Sequence, residues 1–180
     1  MRGKAGRPLH SSRAKIPVTP ELHKELLELI SSRQIVRQEN VHENLLRCFT
    51  ILYHTGMRIS ECIQLDSKMI WEIIYGLNGG KPGKTSLDNS TKTRKPRLLI
   101  ISKAGIEDFK EIFDGLWTEQ EAMKKHKIFK IKASSLTKTV NKYMKMVDPL
   151  LSSHSYRQGI ITQLLNAKVS PKIIQKFIAH

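Results

Sequence analysis

The chain has 180 residues and a mass of 20.6 kDa, enough to bury one core and to form one domain with or without a tail. Hydrophobic residues make up 39% and charged residues 26%, and no apolar run reaches the roughly 18 residues of a membrane helix, which excludes collagen-like, membrane-spanning and wholly disordered classes. Thirty-one Lys and Arg face 16 Asp and Glu, a net charge of +15; such an excess repels itself unless a polyanion neutralises it, and nucleic acid is the first candidate.

Residues 1–17 hold Arg2, Lys4, Arg7, Arg13 and Lys15 with no acid and read as a basic flexible arm. The stretch lacks the apolar centre of a secretory signal, and its Arg/Ser content fits an organellar transit segment as well as an arm. Thr19-Pro20 is a cap followed by proline at the first helical position, and Leu22, Leu26, Leu27 and Ile30 then repeat at helical spacing, predicting a helix over 20–32. Val41, Leu45, Leu46, Phe49, Leu52 and Tyr53 continue that period in a second helix ended by Gly56, and a short third helix covers 59–65. Residues 69–77, rich in Ile, Trp and Tyr and followed by Asn78-Gly79-Gly80, predict a strand of a small antiparallel sheet, which Leu98 to Ile101 extends around a polar hairpin tip at 88–96. Ser102 caps a helix to Phe113, and Ile128 to Ile131 is a short strand or a buried link. A helix over 135–146 stops at Asp148-Pro149. Another follows over 154–167, and Ser170-Pro171 opens the last. The fold class is α+β, mainly helical, with helices around a small antiparallel sheet.

Three basic regions lie beyond the arm, at 81–103, 124–145 and 168–176. The second holds eight lysines and no acid, which suits a nucleic-acid surface better than solubility alone. An anionic membrane is a weaker partner, since no segment joins a basic face to a broad apolar one. Cys48 and Cys62 lie in apolar helical contexts, consistent with a reducing compartment and no disulfide framework. His42, Cys48, His54 and Cys62 lack zinc spacing, so no metal or other cofactor is expected. His154 and Arg157 stand three apart on one helical face, within reach of one anion. Arg58 opens the short third helix with Glu61 one turn on, either as an oriented anion-binding guanidinium or as a capping ion pair of little weight. Lys92 sits in the hairpin tip, as a mobile ammonium or a plain loop lysine.

In order and spacing these segments resemble the catalytic domain of the tyrosine recombinase family, the phage-integrase type of site-specific DNA recombinase found on mobile elements. LYHTGMRISECIQL, residues 52–65, is similar to the family's first arginine box and makes Arg58 the first catalytic arginine. TKTRKPRLLIIS, residues 91–102, resembles the β-hairpin lysine box; aligning Arg97 and the strand after it assigns the catalytic lysine to Lys92, with Lys95 as the runner-up and a phosphate contact. HSYRQGIITQLLNAKVSPKIIQKFIAH, residues 154–180, resembles the second box and carries over His154, Arg157 and His180. The resemblance covers about 20–180, so 18–180 is expected to form the recombinase-like domain. It departs from the pattern at Gln158, where many members have a second His, and between Leu65 and Lys92, which is longer than usual.

The resemblance implies DNA strand cleavage and rejoining through a phosphotyrosine, without a metal. Arg58, Arg157, His154 and His180 would hold the non-bridging oxygens as charge develops, and Lys92 would protonate the leaving 5′ oxygen. In the family the attacking tyrosine lies about one short helix beyond the His180 position. Tyr53, Tyr75, Tyr143 and Tyr156 all lie upstream, with Tyr156 expected in the core. The 180 residues alone are therefore expected to bind double-stranded DNA without cleaving it. Other recombinase protomers, supplying or receiving a C-terminal segment, are a further expected partner, and the place of action is intracellular, at DNA. A non-catalytic DNA-binding remnant that regulates an intact recombinase is the alternative, and a basic RNA-binding protein is a third reading, resting on charge alone.

Overall fold

The computed structural model of the protein describes residues 16–32, 39–88 and 96–178. In chain order the elements are α1 (Pro20–Ser32), α2 (Glu39–Thr55), α3 (Ile59–Cys62), α4 (Ser67–Tyr75), β1 (Lys84–Leu87), β2 (Arg97–Ile100), α5 (Lys103–Phe113), α6 (Glu119–Ala122), α7 (Ala133–Val147), α8 (Ser153–Asn166) and α9 (Pro171–Ile178). The architecture is that of the mainly helical α+β class, with helices around one two-stranded antiparallel sheet. No helix among the described residues is long and apolar enough to cross a membrane.

α2 is the centre of the molecule. Leu45, Cys48, Phe49, Ile51 and Leu52 are all buried, a stripe too wide for a helix packed on one side, and α2 accordingly touches α1, α3, α5, α7 and α8. The Thr19 hydroxyl accepts from the Leu22 N–H at the start of α1 (3.2 Å), and the Ser102 hydroxyl does the same for Gly105 at the start of α5 (3.2 Å).

The expected strand over 69–77 is instead helical. Asp66 caps α4 by accepting from the Met69 N–H, and Ile70, Ile73 and Ile74 are its buried positions. That i, i+3, i+4 spacing is helical, so burial of one helical face overrides the strand preference of Ile, Trp and Tyr. The first strand of the hairpin is β1, antiparallel to β2, with Lys84 opposite Ile100 and Leu87 opposite Arg97. Thr85, Leu87, Arg97 and Leu99 face inward, while Leu98 and Ile100 face solvent. Of the expected hairpin tip at 88–96, residues 89–95 lie outside the described residues. Ile128 and Phe129 form a buried link beside a single bridge between Asp66 and Lys127.

α9 packs on α8 through a small satellite cluster of Ile160, Ile174 and Ile178. The segment leading into α1 crosses α8 at Gly159, with the Val18 N–H donating to the Ser155 carbonyl (2.9 Å). A Cβ at Gly159 would sit 2.3 Å from the Val18 carbonyl oxygen, and backbone cannot yield there as a side-chain tip would. Gly159→Ala is therefore expected to destabilise the fold by about 1–3 kcal/mol, read as a lowered urea midpoint with an unchanged m-value.

Candidate phosphate-binding site

The site begins where α2 ends. Gly56 takes a left-handed φ of 60° while its N–H still donates to the Leu52 carbonyl (2.9 Å), so the chain leaves the helix sharply. Arg58 then sits in extended conformation at the N-cap of α3. Its N–H donates to Glu61 Oε2 (3.1 Å), and its Nη1 stands 3.5 Å from Glu61 Oε1. Glu61 is completely buried, so its carboxylate depends on charged partners. The second is Arg97 of β2, aimed inward by strand alternation, whose Nη1 donates to Glu61 Oε2 at 2.6 Å.

α7 and α8 bring their N-terminal ends to the same place. Met57, Arg58, Ile59 and Ser60, with Ala133, Ser134 and Thr137 of α7 and Ser153, His154 and Arg157 of α8, line one open cleft of about 220 Å³. His154 is exposed at its edge. Arg157 is only 8% exposed; its Nη1 donates to the Gly56 carbonyl (3.4 Å) and its Nη2 to the Ile178 carbonyl (2.7 Å). Burial first, and then the charges of Arg58 and Arg97, push the Arg157 pKa down to about 10, against the pull of Glu61; it remains a cation at neutral pH. Three guanidiniums against one carboxylate leave a local excess of two positive charges. The positive ends of two helices of 15 and 14 residues add to it. Such a cleft is built to receive an oxyanion with several oxygens to satisfy.

Of the residues singled out in the sequence, Arg58, His154 and Arg157 come together on this cleft. Lys92, Lys95 and His180 lie outside the described residues, as does the arm up to residue 15, while Ile16 already packs against the core. The eight lysines between 124 and 145 are all exposed. Tyr156 is buried, Tyr53 stacks on His23, Tyr75 donates to Asp114 (2.8 Å) and Tyr143 is a core residue; none of the four lines the cleft. Among the described residues no three His, Cys, Asp or Glu side chains are grouped to hold a metal. Cys48 and Cys62 are free and buried, and burial pushes the Cys62 thiol well up. Sequence reasoning missed the hydroxyls of Ser134, Thr137 and Ser153. It also missed Arg97 as part of the site, since a charged strand residue ordinarily faces solvent.

Helices around a small two-stranded antiparallel sheet are the architecture of tyrosine recombinase catalytic domains. A profile of the Phage integrase family matches residues 19–180, and the chain belongs to that family. Among solved structures, XerA recombinase is similar with a TM-score of 0.62 at 16% identity, over 97% of this chain and 57% of that one. The integrase from mycobacterium phage Brujita gives 0.63 at 17%, over 98% and 53%. XerH site-specific recombinase bound to difH substrate, in a pre-cleavage complex, gives 0.57 at 19%, over 92% and 48%. The chain thus spans about half the length of these proteins. A search of curated proteins finds no match.

Tyr156, between His154 and Arg157 on α8, is tied to α1 by a 3.1 Å hydrogen bond between its hydroxyl and His23 Nδ1. Burial, followed by the nearby His54, lowers the His23 pKa from 6.5 to about 4, with Asp108 opposing. Between those values the native state binds fewer protons than the unfolded one, so this stability is complete above about pH 6.5 and is lost as pH falls toward 4. The loss is expected to be roughly 3 kcal/mol. In urea titrations, the stability gap between the wild type and His23→Phe should shrink as pH is lowered through that window; a gap independent of pH would contradict it.

Proposed function

We propose that residues 18–180 act as a site-specific recombinase catalytic domain on double-stranded DNA, with the basic residues before Ile16 as an arm that adds phosphate contacts. The observation that carries this reading is the meeting of Arg58, His154 and Arg157 on a cleft faced by the N-termini of α7 and α8. Its support from relatives is that XerH is described bound to difH substrate, and the Tn1549 transposon integrase in complex with transposon right end DNA.

On this reading a DNA phosphodiester enters the cleft and Arg58 and Arg157 bond its two non-bridging oxygens. His154 donates from the edge, with His180 as a further donor. As an aryl hydroxyl attacks phosphorus, these donors stabilise the charge that grows on the oxygens. Lys92, or Lys95 in its place, protonates the departing 5′ oxygen. The covalent 3′-phosphotyrosine keeps the bond energy for rejoining. None of the chain's four tyrosines lines the cleft, so the hydroxyl is assigned to a segment outside these 180 residues, on the same chain or on another protomer. The 180-residue polypeptide alone then binds without forming the adduct, which is also how a regulatory DNA-binding remnant would behave.

Duplex affinity of the 180-residue protein should fall steeply between about 50 and 200 mM salt, and Arg157→Ala should weaken it. Incubation with a nicked suicide duplex should leave no protein–DNA adduct on a denaturing gel. An adduct abolished by changing one of the four tyrosines to Phe would reassign the nucleophile. If a downstream tyrosine-bearing helix restores an adduct that Arg157→Ala removes, the catalytic domain stands over the remnant. Absence of duplex binding at low salt would overturn both.

A further inference from the structure

We propose that Arg97 is a positioning residue that locks the phosphate cleft to the C-terminal end of α9, so that the docking of this last helix is read by both cleft arginines. The inference rests on the reading of the cleft as a DNA-phosphate site, and it adds a residue and a coupling which that reading does not contain.

Arg97 is 4% exposed and does not line the cleft, so it acts through other residues. One arm of its guanidinium donates to Glu61 Oε2 at 2.6 Å and the other to the Phe177 carbonyl at 3.2 Å. The next carbonyl, that of Ile178, is taken by Arg157 Nη2 at 2.7 Å. Two successive carbonyls of the last turn of α9 thus end on two different guanidiniums, where the negative end of a helix favours cations. Through Glu61 the first contact reaches Arg58, because Glu61 accepts the Arg58 N–H and faces its Nη1. Movement of the α9 end therefore acts on Arg157 directly and on Arg58 by way of Arg97 and Glu61.

The helix is suited to such a role. It has eight residues, too few to be stable alone, and it rests on a satellite cluster rather than on the main core. Glu61 needs only one strong cation for its charge. A lysine at position 97 would provide that, whereas reaching a carboxylate and a helix end together takes a planar fork.

The experiment uses the full 180-residue chain as wild type, Arg97→Lys and Arg157→Met. In the free proteins, Arg97→Lys should raise amide hydrogen exchange over 171–178 by about tenfold, leave α2 protected, and shift the Arg58 and Arg157 Nε–Hε resonances. Unchanged exchange and resonances overturn the lock, whether or not the protein binds DNA. With a duplex DNA oligonucleotide, Arg97→Lys should lower affinity about tenfold while the slope of log K against log salt stays as in wild type, since Arg97 neutralises no phosphate. Arg157→Met should reduce that slope by about one. A reduced slope for Arg97→Lys would mean that Arg97 meets the phosphate itself, which also overturns the proposal. If Arg97→Lys does not fold, the wild type still decides: by reciprocity, saturating duplex should slow exchange over 171–178, and unchanged or faster exchange refutes the coupling. Wild type that fails to bind duplex at low salt sinks the functional reading alone, because the free-protein measurements still test the lock.

Discussion

A carboxylate with no access to water is tolerable only when cations surround it, and the site is organised around that requirement at Glu61. Its partners come from two parts of the chain: Arg58, three residues earlier in the turn after α2, and Arg97 from the second hairpin strand. Each imposes a condition on the fold. α2 must stop at Gly56 for Arg58 to reach the N-cap of α3, and the hairpin must keep its register for Arg97 to point inward. A one-residue slip in β2 would turn Arg97 to solvent and Leu98 inward, leaving Glu61 with Arg58 alone. Correct pairing of the hairpin and correct geometry of the cleft are therefore one condition.

The excess of positive charge left at the cleft is held in check by main-chain carbonyls. Gly56, Phe177 and Ile178 supply acceptors to the guanidiniums of Arg97 and Arg157, and these bonds fix direction without cancelling charge. The result is a set of preoriented donors with unspent electrostatic attraction, the state in which an arriving anion needs the least rearrangement. Arg58 is the least constrained of the three. It keeps a quarter of its side-chain surface exposed, and its Nη1 is buried without a hydrogen bond although it lies near Glu61 Oε1. A small swing toward the cleft costs it little.

Most helices were legible because their signals agree: proline after a capping threonine at α1, glycine after α2, serine before α5, and Ser-Pro before α9. α4 was misread because composition and period conflict there. Ile, Trp and Tyr favour strands, but Asp66 as cap and the spacing of Ile70, Ile73 and Ile74 favour a helix, and burial decides. β1 was missed because Lys-Thr-Ser-Leu has a single large apolar residue; pairing with β2 and packing on α4 make it a strand, and neither is a local property. α6 is a single turn. At the site, the 154/157 spacing and the turn before Arg58 were readable because both follow from helix geometry. Arg97 was not, since a charge in a strand ordinarily marks the solvent face, and only its partner Glu61, 36 residues away, reverses that.

The lysines explain the size of the anion the surface suits. On the proposed reading a single phosphate occupies the cleft, and charges beyond it contribute only if the ligand continues. α7 starts at the cleft with Ala133 and Ser134, and Lys138, Lys142 and Lys145 stand exposed along its remaining length. Its 15 residues extend about 22 Å at 1.5 Å per residue, comparable to roughly six base pairs of duplex at 3.4 Å each. Lys124, Lys125, Lys127, Lys130 and Lys132, also exposed, precede the same helix in sequence. On the proposed reading, this exposed charge suits a regularly charged polymer of which the cleft singles out one phosphate. On that reading the lysines supply affinity without choosing a phosphate, and the cleft chooses one because oriented guanidiniums and helix ends converge there.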